Sequence, residues 1–296
     1  MPPKKEQAIV HPPSGGKMIF KQSRFEHLPS VPFRCISAGR SGSGKTSALY
    51  SAVTDHYRGC FKKIIIIART AHLDHSYVQL REWIERHLKQ DNDREQFIFT
   101  SIEEEKLMKI FDDQAALSSK EKIQRKADHS KEPLSAMLVI IDDLSDSANL
   151  RVREGFLPKL ATTGRHQGSA LWLNIHALTA CSPLIRKNAS MLLIFKISNA
   201  KEYEVLRDEY AHLVGKDEFD QIYQIAVGKG APGYSFLTIL PHEQDERKMF
   251  LARFDQRLFV EDSEEEEPEE APLTQPSSSS SYSAPAETRR SAPRPG

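Results

Sequence analysis

The run Gly39-Arg40-Ser41-Gly42-Ser43-Gly44-Lys45-Thr46 constrains this chain more than any other feature, because it fits G-x-x-x-x-G-K-[ST]. At average residue usage the pattern arises by chance in roughly one in a hundred chains of this length. Residues 33–38 before it read as an apolar strand, and 46–56 after it as a helix. That setting gives the pattern a mechanism. Its glycines let backbone N–H groups turn inward around phosphates. The helix that follows aims its positive dipole end at the same anion. In this reading residues 39–46 cradle the phosphates of ATP, with Lys45 reaching the β- and γ-phosphates. The Thr46 hydroxyl takes one position on Mg²⁺. The alternative is a Gly/Ser-rich turn with an incidental lysine.

The rest of the body alternates short apolar runs with helical patterns. Strands are expected at 62–68 (with four consecutive isoleucines), 96–100, 136–141, 169–175 and 191–197. A closing pair is expected at 234–240 and 248–254. Helices are expected at 75–89, 102–127, 152–162, 184–189, 202–213 and 216–226. The face of the 75–89 helix carries Leu80, Trp83, Ile84 and Leu88, and the increasingly polar second half of 102–127 reads as a surface insertion. Apolar strands separated by helices of ten or more residues indicate an α/β fold, a mostly parallel sheet covered by helices on both faces.

The 136–141 strand ends in Asp142-Asp143. In such a sheet the carboxyl ends of the strands open at the ligand crevice. Asp142 would then hold Mg²⁺ through water, and Asp143 would orient and polarise the attacking water. The competing pair Asp112-Asp113 lies in a polar helical stretch and reads as a solvated face. Two further features are less decided by pattern. Arg165, in Thr163-Gly164-Arg165-His166, is either a surface-loop arginine or one that reaches a γ-phosphate in its own or a neighbouring subunit; Arg186 is its reserve. His176, in Asn174-Ile175-His176 at a strand end, is either a structural histidine or a sensor of the γ-phosphate or attacking water. Asp143, Arg165 and His176 are the catalytic candidates. No N-K-x-D, L-S-G-G-Q or H-R-D-L-x-x-x-N segment is present, which disfavours GTPases, ABC transporters and protein kinases.

Composition divides the chain. Residues 1–16, with four prolines and two glycines, read as a disordered arm, and 261–296, an acidic run followed by Ser/Pro-rich sequence, as a disordered tail. The ATPase domain is expected at 17–260. Net charge is zero, but the tail carries nine acids and three arginines of the chain's 41 and 41, leaving +6 on residues 1–260. A mildly basic body permits a nucleic-acid partner. No apolar run approaches the roughly 20 residues of a membrane span, so no membrane partner is expected. The N-terminus lacks an apolar signal core, and three widely spaced cysteines suit a reducing compartment. An intracellular, non-secreted protein is the expectation.

Four stretches together resemble the FtsK/HerA-type genome-packaging ATPases of large DNA viruses, the poxvirus-type group. They are the run from Ser37 to Thr46, Val139-Ile140-Ile141-Asp142-Asp143, Gly164-Arg165-His166, and Ile185-Arg186-Lys187-Asn188 before an apolar strand. The resemblance covers about residues 17–200. It implies a RecA/FtsK-like P-loop fold and a homo-oligomeric ring, a hexamer by that likeness, that pulls double-stranded DNA with ATP hydrolysis. Capsid or packaging proteins are further partners on this reading. The family pattern places glutamine where this chain has His176, and many relatives in the wider group have Glu where it has Asp143. An Asp is shorter by one C–C bond, about 1.5 Å, so the water must sit closer to the strand end. The alternative functions are a P-loop ATPase that switches protein partners without moving DNA, and a degenerate nucleotide-binding relative.

Overall fold

A computed structural model describes residues 20–144 and 150–259. The expected arm at 1–16 and tail at 261–296 lie outside the described residues. The strands are β1 (Arg34–Ala38), β2 (Lys63–Ala68), β3 (Ile98–Phe99), β4 (Met137–Asp142), β5 (Ser169–Ile175), β6 (Met191–Phe195), β7 (Phe236–Ile239), β8 (Phe250–Ala252) and β9 (Gln256–Leu258). They form one nine-stranded sheet in the order β3-β2-β4-β5-β1-β6-β7-β8-β9. From β3 to β6 neighbouring strands are parallel, and from β6 to β9 antiparallel. Every residue of β1, β4, β5 and β6 is buried, as strands covered on both faces must be. The expected α/β class and mostly parallel sheet are therefore observed.

The helices are α1 (Lys45–Ser51), α2 (His75–Leu88), α3 (Glu104–Ala127), α4 (Phe156–Thr163), α5 (Pro183–Lys187), α6 (Ala200–Tyr210), α7 (Lys216–Val227) and α8 (Glu246–Met249). The first departs from a regular helix after Ser51, where residues 52–56 make a π-helical turn. The Tyr57 N–H reaches back to Ala52 O at 2.8 Å, which carries the Tyr57 ring into the core against Phe33. Asp74 caps α2 by accepting from Ser76 N. α3 is one continuous helix whose buried positions end at Ser118, so its second half is an exposed surface as expected. Asp112 and Asp113 are exposed on it, and Asp112 pairs with Lys159.

Three expected elements are corrected, and one strand is added. The helix expected from 152 starts only at Phe156, because Gly155 has φ +111°, which no helix accommodates. The strand expected over 96–100 shortens to two residues, since the Asn92 side chain takes the N–H groups of Phe97 and Ile98. The strand expected over 248–254 begins at Phe250: Asp245 caps the short α8 through Arg247 N, and the helix occupies 246–249. β9 was not expected at all; two of its three residues are exposed, leaving no apolar run to mark it.

Candidate functional site

The sheet order puts β5 between β1 and β4. With strands about 4.8 Å apart, the ends of β1 and β4 are separated by roughly 10 Å, room for a phosphate chain between the loop and the acids. A cavity of about 730 Å³ opens there, lined among others by Gly42, Gly44, Lys45, Thr46, Asp142, Asp143 and His176. Segments far apart in sequence thus meet at the carboxyl edge of the parallel strands.

The loop is held by its own backbone. Gly39 N donates to Ile175 O at 3.1 Å, tying the end of β1 to β5, and Ser43 N donates to Arg40 O at 3.2 Å. The Lys45 ammonium donates to Gly39 O at 2.6 Å and Arg40 O at 2.9 Å, so its stem lies across the loop. Burial lowers the Lys45 pKa, and the charges of Asp142 and Asp143 oppose that shift. Gly44 has φ +102°, a conformation that favours glycine. The first N–H groups of α1 have no acceptor within the helix and are available to an anion. Ser41 and Gly42 line the cavity, Arg40 is exposed, and the Ser43 hydroxyl is buried without a hydrogen-bond partner.

Asp142 is the buried acid, 8 % exposed. Its Oδ2 accepts from the Tyr77 hydroxyl at 2.5 Å and from Asn174 Nδ2 at 2.9 Å. Asn174 is in turn fixed by Trp172, whose indole N–H donates to its Oδ1 at 2.8 Å. Burial raises the Asp142 pKa, against the hydrogen bonds from Tyr77 and Asn174 and the charge of Lys45. Asp143 leaves the strand in the left-handed region, φ +55°, and its side chain is 44 % exposed. His176 Nε2 lies 3.2 Å from Asp143 Oδ1. Asp143 and His176 therefore form a pair at the exposed side of the site, while Asp142 forms its buried floor.

Mg²⁺ prefers hard oxygen ligands and keeps several waters or phosphate oxygens. The Thr46 hydroxyl and Asp142 carboxylate both line the cavity and suit it. Among the described residues no group of three or more His, Cys, Asp or Glu could hold a metal by itself.

Tyr77 was missed from sequence, and Asn174 was noticed only as a polar strand end. Tyr77 stands at the i−3 position to Leu80 on the buried stripe of α2, where a tyrosine reads as core. The hydroxyl is what distinguishes it, since a buried Tyr usually finds a partner.

Arg165 is elsewhere. It lies in the 3-10 turn Gly164–Gln167 before β5, whereas Asn174 and His176 follow or end that strand. Seven residues at about 3.3 Å each put some 20 Å between the two ends. A reach into its own subunit's phosphate loop is therefore corrected: Arg165 belongs to the opposite edge of the sheet. There it is exposed and shares a cavity of about 340 Å³ with Arg34, Ser190 and His242. Burial and then the Arg165 charge lower the Arg34 pKa, so the two guanidinium groups repel. The reserve candidate Arg186 is committed to the fold: it binds Glu209 through Nε and Nη2, and Nη1 donates to Cys181 O at 2.7 Å.

No curated protein sequence matches the chain significantly. Among solved structures, the genome-packaging NTPase B204 from Sulfolobus turreted icosahedral virus 2, in complex with AMPPCP, is 14 % identical with a TM-score of 0.47, over 75 % of this chain and 96 % of that one. B204, the DNA-packaging ATPase from Sulfolobus turreted icosahedral virus, is 16 % identical with a TM-score of 0.44, over 75 % and 97 %. The pCW3 conjugation coupling protein TcpA with ATPγS is 14 % identical with a TM-score of 0.44, over 77 % and 61 %. Among the described residues no helix is long and apolar enough to cross a membrane. The family model described as Poxvirus A32 protein matches residues 20–225. On that match, which spans most of its length and includes every residue lining the candidate site except Tyr234, the chain belongs to the Poxvirus A32 protein family.

Proposed function

We propose that the chain hydrolyses MgATP and uses the cycle to move double-stranded DNA, as a homo-oligomeric ring of the genome-packaging type. The observation that carries the reading is one cavity in which Lys45, Thr46, Asp142, Asp143 and His176 converge at the ends of three different segments. Lys45 and the loop N–H groups bind and orient the phosphates. Thr46 and Asp142 hold Mg²⁺, which supplies charge neutralisation on the phosphate oxygens. Asp143 accepts a hydrogen bond from the attacking water and His176 steadies Asp143. Phosphoryl transfer depends mostly on positioning and electrostatic stabilisation, so these groups suffice for the pocket half of the site.

The other half is positive charge on the γ-phosphate oxygens. In this reading Arg165 supplies it in trans. Arg165 is exposed at the opposite edge of the sheet from its own loop, beside the buried Arg34, which supports a role toward a neighbouring subunit. An arginine from a neighbour makes turnover depend on assembly. The test is ATP hydrolysis by mixtures of Arg165→Ala and Lys45→Ala. Each alone should be nearly inactive, and mixing should restore part of the rate, because some interfaces then pair an intact loop with an intact arginine. No rescue, or a wild-type rate in Arg165→Ala, would refute the assignment.

A further inference from the structure

Tyr234 is the one large aromatic among the described residues that both lines the phosphate-loop cavity and is mostly exposed, at 71 %. It lies in the connection between α7 and β7, just after Gly233, with φ +60°. A left-handed conformation is costly for a residue with a Cβ, so the loop holds it there at an expense in stability. The ring has a close neighbour. A Cβ placed on Gly44 would stand 2.9 Å from Tyr234 Cδ1 and 3.0 Å from its Cβ. Gly44 therefore lacks a side chain for two reasons, its own φ and the approach of this ring. The phenol hydroxyl has no hydrogen-bond partner among the described residues. Burial in a core does not account for the position, since the residue is mostly exposed.

The sheet order fixes which end of a nucleotide would meet it. β5 and β4 lie on one side of β1, and β6 and β7 on the other. Asp142, Asp143 and His176 follow or end strands on the first side. β7 runs antiparallel to β6 with Phe236 opposite Phe195, so the residues just before β7 sit at the same sheet edge as the phosphate loop, on the second side. A triphosphate that places its γ-phosphate by the acids and runs along the loop leaves its nucleoside toward β6 and β7, where Tyr234 stands.

We propose that Tyr234 is the platform on which the nucleobase of a bound nucleoside triphosphate stacks. The inference rests on the reading that the loop holds nucleotide phosphates, and adds what recognises the other end of the ligand. Stacking on a π-face tolerates any base, so the ring contributes affinity and little base selectivity.

The experiment is calorimetric titration of the full chain with MgATP and, separately, with magnesium tripolyphosphate, which has the phosphates and no base. Wild type, Tyr234→Ala and Tyr234→Phe are compared. In Tyr234→Ala the affinity for ATP should fall about ten- to a hundredfold, with tripolyphosphate affinity within about twofold of wild type. Tyr234→Phe should keep both. Retained tripolyphosphate binding also shows that the variant is folded around its loop. Equal losses for the two ligands would overturn the proposal, because the ring would then act only by propping Gly44. Unchanged ATP affinity in Tyr234→Ala would overturn it as well. A wild-type chain that binds neither ligand would instead overturn the phosphate-loop reading on which the proposal rests.

Discussion

Asp142 and Asp143 are adjacent in sequence and occupy opposite environments. Successive residues leaving a strand point to different sides, and here one carboxylate goes under the Tyr77 hydroxyl while the other turns out to His176. Asp143→Asn should therefore keep MgATP binding while turnover falls by about a hundredfold or more, the usual scale of general-base help. Asp142→Asn should behave differently. Burial raises the Asp142 pKa, so ionised Asp142 costs stability, a penalty that grows as pH rises through its unfolded value and is complete above its raised folded value. An amide keeps an oxygen for Tyr77 and Asn174 and removes the charge. In thermal melts without nucleotide, the variant should melt no lower than wild type at pH 7, with any gap closing in acid. Its hydrolysis should need more Mg²⁺. A sharply lower melting temperature would show that the charge stabilises the fold. Much of this site was legible as local pattern, because the phosphate loop and the acid pair are each contiguous. Tyr77 was not, since its role depends on a contact 65 residues away across a strand pairing that no local pattern specifies.

At the scale of elements, buried strands and long helices were read closely, and boundaries set by single side chains were not. Apolar runs such as Ile64 to Ile67 announce themselves through composition. Phe97 and Ile98 also look like a longer strand, and only the Asn92 side chain shows why the pairing stops. α4 makes the same point. Val152 continues its apolar pattern, yet Gly155 at φ +111° separates it from the helix, and Glu104 from α3 accepts the N–H of Phe156 at 2.5 Å in place of a residue from the preceding turn. A Cβ on Gly155 would meet Glu104 Oε1 at 2.9 Å. Gly155→Ala thus combines a disfavoured φ with the loss of that cap, and should cost about 1–3 kcal/mol in urea unfolding. A midpoint equal to wild type would mean that the loop before α4 readjusts without strain.

At the scale of the molecule, the alternation of strands and helices was enough for the α/β class, whereas the order β3-β2-β4-β5-β1-β6 rests on pairings distant in sequence. That order is what separates Arg165 from the loop of its own chain and brings Asp142 across β5 to face it. On the proposed function, the +6 charge of residues 1–260 would suit a phosphate backbone, with binding that weakens as salt rises. The measurement that reaches the central claim most directly is displacement of a triplex-forming oligonucleotide from double-stranded DNA, with ATP hydrolysis followed in the same sample. The account predicts that DNA stimulates hydrolysis and that the third strand is released with MgATP. Release should fail with a non-hydrolysable analogue or with Lys45→Ala. Hydrolysis that is indifferent to DNA and displaces nothing would contradict it, and would leave an ATPase that switches protein partners.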